Sequence, residues 1–89
     1  MNARLDSAPL GAAVRISHID WERLTDDEGR RLREFGLMEG AEVTPLHRGS
    51  LFSRDPLALT IGRMRVIIRN RQAAAIAVEP AEAPEGTGA

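Results

Sequence analysis

The chain has 89 residues, no cysteine, few aromatic side chains and a formal net charge of −1. That length allows one domain, and without thiols neither a disulfide nor a thiolate zinc site can reinforce it. No apolar run is long enough to span a membrane, and Met1 to Leu10 lacks the apolar stretch of a secretory leader, so a cytoplasmic protein is expected.

Charge is unevenly spread along the chain. Residues 20–47 are acidic on balance, while in residues 48–78 six arginines, Arg48, Arg54, Arg63, Arg65, Arg69 and Arg71, face only Asp55. A basic strand pair on a mildly acidic domain suits an acidic partner, an anionic lipid or a nucleic acid, or is simply a solvated sheet face. Every basic residue is Arg, beside many Ala and Gly, which reads as coding bias.

After a turn at Leu10-Gly11, Val14, Ile16 and Ile19 predict a first strand with an imperfect period of two. Thr25-Asp26-Asp27-Glu28 has the pattern of a capping box and predicts a helix of about ten residues. Its acids lie at the N-terminal end and its arginines toward the C-terminal end, as the helix dipole favours, and the spacing offers pairs from Asp26 to Arg30 and Asp27 to Arg31. Such exposed pairs contribute only about 0.2–0.5 kcal/mol each, so the apolar side formed by Leu24, Leu32, Phe35 and Leu37 must anchor the helix. Gly36 follows as the residue that can take positive φ, letting Leu37 fold back on Leu32 in a Schellman arrangement. Glu39-Gly40 marks a second turn.

Residues 42–48 predict the next strand, with Pro45 at an edge or a bulge because it lacks an N–H. A long loop is expected from Arg48 to Pro56. Beyond it Leu57, Leu59 and Ile61, then Met64, Val66 and Ile68 across a reversal at Gly62-Arg63, predict a hairpin with Arg63, Arg65, Ile67 and Arg69 on its other face. Ala73 to Ala75 reads as a turn, and Ile76 and Val78 as a last strand. The expected domain is residues 1–79 with its folded core at about 8–79, followed by a disordered acidic tail over 80–89. The fold class is mainly β: about five short strands and one helix after the first, which suggest a small barrel whose closure would remove exposed edges.

The order of strand, capped helix, RRLREFGLMEG, strand, DPLALTIGRMRVIIRN and AAAIAVE resembles the FeoA family over about seventy residues. The family motif after the helix, approximately leucine-glycine-leucine-x-proline-glycine, is matched by residues 35–40, with Gly36, Leu37 and Gly40 fitting and Glu39 in place of proline. The family's glycine-aspartate-proline is matched by Arg54, Asp55 and Pro56, with Arg54 in place of glycine. The resemblance implies an SH3-like barrel and a small cytoplasmic accessory or regulatory protein of ferrous iron transport. Its partner would be the GTP-binding part of the FeoB membrane transporter, and it would be peripheral to the membrane only through that partner. The same domain accompanies a DNA-binding domain in iron-dependent repressors, so a stand-alone iron-sensing domain is the alternative reading, and a nucleic-acid-binding barrel a further one. Self-association stays open.

No phosphate-cradling loop and no nucleophile with an evident base is present, so no enzyme is expected. His18 and His47, with Asp20, Glu22 and Asp55, are the metal-ligand candidates; their scatter predicts no required cofactor and at most weak binding of Fe(II) or another divalent ion. Trp21 is expected as a lid on the core. The expected partner surface is Leu51, Phe52 and Arg54 beside Leu37 and Met38, with Arg63 and Arg65 steering an acidic partner.

Overall fold

The computed structural model describes residues 3–50 and 53–81. Six strands form one antiparallel sheet: β1 (Ala3–Arg4), β2 (Val14–Ile19), β3 (Glu42–Ser50), β4 (Ser53–Ile61), β5 (Met64–Ile68) and β6 (Ile76–Pro80). They lie in the order β1-β6-β2-β3-β4-β5. Helix α1 (Asp26–Glu34) follows β2, and a short helix α2 (Asn70–Ala74) joins β5 to β6.

Alternation puts one face of each strand in the core. Val14, Ile16 and Ile19 of β2, Val43 of β3, Leu57 and Leu59 of β4, Val66 and Ile68 of β5, and Ile76 and Val78 of β6 are all buried together. Leu24, Leu32 and Leu37 close this cluster from the side of α1, with Trp21 and Phe35 packed against it. The imperfect period of β2 has a structural cause. Its register with β6 shifts between Ile16 and His18, so Ser17 is an extra residue, and the bulge returns Ile19 to the core face. Pro45 likewise sits where the β3–β4 register shifts, the bulge position its missing N–H requires.

The N-terminus corrects the expected start of the fold at residue 8. Ala3 and Arg4 pair with Val78 and Ala77, and Leu5, in the 3-10 turn that follows, is fully buried. Arg48 explains this, because its guanidinium donates to the carbonyls of Leu5 (3.0 Å), Asp6 (3.1 Å) and Ala8 (2.6 Å) and clamps the turn onto β3. The same region removes most of the loop expected over 48–56. Gly49 takes φ +73°, a second register shift falls between Arg48 and Ser50, and pairing continues to Ser50 opposite Ser53.

Three further differences are smaller. The expected turn at Ala73 to Ala75 is the end of α2, with Ala73 and Ala75 buried. Strand β6 runs to Pro80, and residues 82–89 of the expected tail lie outside the described residues. Closure does not remove every edge: among the described residues the sheet ends at β1 and β5, and β5 pairs only with β4.

Candidate partner-binding surface

Helix α1 and its corner are built as their residues dictate. Thr25 Oγ1 accepts from Glu28 N (3.1 Å) and Glu28 Oε1 accepts from Thr25 N (2.8 Å), completing the capping box. At the other end Gly36 adopts φ +89°, Gly36 N donates to the Arg33 carbonyl and Leu37 N to the Leu32 carbonyl, both bonds of a Schellman motif. Leu32 and Leu37 are buried side by side as that motif requires. The ion pairs differ from expectation: Arg30 bonds Asp27 at 2.8 Å, and Glu28 receives Arg71 of α2 at 2.7 Å. Glu28 therefore ties the two helices together as well as capping one.

Beyond the corner lies a cluster that sequence spacing does not reveal. Glu39 Oε2 accepts from the Trp21 indole N–H (3.1 Å) and from Ile19 N (3.3 Å). Arg33 lies over the Trp21 ring, 4.4 Å from its centroid, and Gly29 of α1 lies against the same ring. At this turn the Glu39 carboxylate anchors the corner to the end of β2 and to the Trp21 ring. The carboxyl is held below the usual range first by its own backbone N–H, then by the Trp21 and Ile19 donors and the nearby charge of His18, while partial desolvation opposes them. Trp21 is thereby fixed at the rim of the core, next to the charged side of α1.

The hairpin of β4 and β5 reaches the same corner. A Cβ on Gly36 would stand 3.3 Å from Ile61 Cδ1, so the helix end and the hairpin tip are in contact. The turn residue Gly62 has φ +61° between the paired Ile61 and Met64, which fits a type II′ reversal with glycine first. Met38 and Met64 are 43% and 44% exposed, and Ile67 is 61% exposed on the outward face with Arg63 and Arg65. Large apolar side chains are therefore left in water beside Arg63 and Arg65, which form no ion pair among the described residues.

The predicted site residues divide clearly. Met38, Arg63 and Arg65 are exposed and available for contact. Leu37 is not: it is fully buried, because the Schellman geometry turns it inward, so it supports the surface without joining it. Leu51 and Phe52 lie outside the described residues, as does the Arg54 side chain. Asp55 is a structural acceptor, receiving Asn70 N at 2.6 Å and Arg69 Nη1 at 3.4 Å, and so fastens the start of α2 to β4. His18 and His47 are exposed on β2 and β3, and no group of three or more potential metal ligands occurs among the described residues. No described helix is long and apolar enough to cross a membrane.

A six-stranded antiparallel sheet with one capped helix after its first long strand defines a small, mainly β domain of SH3-like type. The FeoA domain model matches residues 3–80, and the chain belongs to the FeoA family. No curated protein matches it. Among solved structures it is similar to iron(II) transport protein A of Clostridium thermocellum, with 24% identity and a TM-score of 0.76 over 89% of this chain. This chain spans 46% of that protein's length. The FeoA protein of Chlorobium tepidum shares 24% identity at a TM-score of 0.77, covering 94% of this chain and 75% of that one. FeoA of Stenotrophomonas maltophilia, described as a procaryotic SH3 domain protein and solved with zinc, shares 26% identity at a TM-score of 0.68. That match covers 86% of this chain and 89% of that one.

Proposed function

We propose that this chain is a cytoplasmic accessory factor of ferrous iron transport that works by binding the GTP-binding part of a FeoB-type membrane transporter. The observation that carries the reading is the family match across residues 3–80. The Stenotrophomonas maltophilia relative is described as a candidate ferrous iron transport activating factor, which supports the same role. The surface chemistry agrees with a contact function. Met38 and Met64 offer adaptable apolar area, and Arg63 and Arg65 add charge that would speed encounter with an acidic partner. Neither catalysis nor a tightly held metal is needed for this role, and the scattered carboxylates and histidines suit at most weak binding of Fe(II).

The test is saturable binding to detergent-solubilised FeoB, followed by kinetics at two ionic strengths. The Leu51→Ser, Phe52→Ser double variant should lose association while keeping its circular dichroism spectrum. The Met38→Ser variant should weaken it. Normal binding by both variants would remove the loop and corner from the interface, and no saturable binding by the native chain would refute the accessory reading.

A further inference from the structure

Strand β5 is an edge strand whose one neighbour among the described residues is β4. The turn at Gly62-Arg63 closes on the pair Ile61 and Met64, and in a two-residue hairpin that closing pair is hydrogen-bonded. Bonded pairs then alternate, so Leu59 with Val66 and Leu57 with Ile68 are bonded pairs, while Arg65 and Ile67 aim their backbone N–H and C=O away from β4. An edge of this kind is a template for one more strand.

Its side chains say which strand fits. Arg63, Arg65 and Ile67 project on the exposed face, and neither Arg63 nor Arg65 forms an ion pair within the described residues. Along the strand's end runs a groove of about 300 Å³ with Leu32, Pro56 and Ile68 in its lining and Arg31 and Arg69 beside them. The edge thus offers two outward peptide groups, an apolar floor and positive charge. A second copy of this chain is the wrong occupant, because pairing two β5 edges would bring Arg63, Arg65 and Arg69 of each against the other, and like charges across a strand pair are destabilising. The same arginines act as a guard against self-pairing.

We propose that β5 is a docking edge for an extended segment of another protein that alternates acidic and apolar residues. The segment adds a seventh strand to the sheet, its peptide groups bonded to Arg65 and Ile67. Its acids lie on the outer face beside Arg63 and Arg65, and its alternate apolar residues turn to the other face, toward the groove lined by Leu32, Pro56 and Ile68. This inference does not depend on the transporter reading, since its probe contains nothing of a transporter.

The probe is a short acetylated and amidated peptide of alternating Glu and Val, titrated into the full chain at low ionic strength and followed by amide shifts and hydrogen exchange. Saturable binding with new protection of the Arg65 and Ile67 amides is expected, and a Lys and Val counterpart should not bind. Arg63→Glu with Arg65→Glu should weaken the acidic peptide by roughly tenfold or more and let the Lys and Val peptide bind instead. Ile67→Pro removes an outward N–H that β4 does not use, so it should abolish protection while the hairpin remains folded. Single-stranded RNA binding saturably at the same arginines, a dimer joined through β5, or peptide shifts confined to other faces would each overturn the proposal. So would failure of the Glu and Val peptide to bind.

Discussion

Helix α1 is closed at both ends by residues of its own segment, Thr25 and Glu28 at the start and Gly36 with Leu37 at the finish. Helix α2 takes its first acceptor from Asp55 on β4, fifteen residues away, and its tie to α1 from Glu28, although Gln72 also accepts from Arg69 N within the segment. The contrast teaches where sequence carries structure. A nine-residue helix with local caps is specified before any tertiary contact forms, whereas a five-residue helix has too few bonds to offset nucleation and exists because the strands around it are already in place.

The largest test bears on the segment held wholly from outside. Leu5 is fully buried only because Arg48 and β6 hold the N-terminal residues in place, and Leu5→Ala should cost about 2–5 kcal/mol in chemical denaturation. A cost near zero would return residues 3–7 to the role of a dispensable leader. Next comes the locally specified end of α1. Gly36→Val combines a β-branched residue at φ +89° with crowding against Ile61, for a loss of about 1–3 kcal/mol. Unchanged thermal stability would contradict the corner geometry.

Asp55→Ala separates the two helices directly. It should lower stability by about 0.5–2 kcal/mol and raise amide exchange across Asn70 to Ala74, leaving α1 protection unchanged. Equal loss of protection in both helices would show that they form a single cooperative unit, against the contrast drawn above. The smallest effect is pH-dependent. Because the Glu39 carboxyl lies below its ordinary range when folded, its contribution is present above the unfolded value and is lost as pH falls through the folded one. Glu39→Gln should flatten that acid limb, with Trp21 fluorescence as the reporter, and an unchanged limb would assign the step to other carboxylates.

What the sequence made legible follows the same division. The capping box, the Schellman glycine, the hairpin with its Gly62 reversal and the inward faces of its strands all rest on residues within a few positions of one another. The clamp of Arg48 on the N-terminal carbonyls joins positions 40 or more apart, and the Glu39 bond to Trp21 spans 18. Nothing in local spacing marks Arg48 apart from its neighbours, so its loop was expected to be free and Leu5 to be outside the core. Among the candidate site residues, exposure at Met38, Arg63 and Arg65 followed from strand alternation and turn position. Spacing alone gives Leu37 both to the corner and to a partner surface, and the backbone bond to Leu32 decides for the corner and buries it.

The pairing of Ala3 with Val78 has a bearing on how the chain comes off the ribosome. Strand β1 is completed by β6, the last described strand, and β2 also waits for β6 along most of its length. While residues 76–80 are still in the exit tunnel, β1 and most of β2 lack the strand they pair with, and the locally capped helix and the β4–β5 hairpin form first. Folding of this domain is therefore postponed until residues 76–80 have emerged, and a nascent chain stalled before residue 76 should be recognised by chaperones and proteases as unfolded.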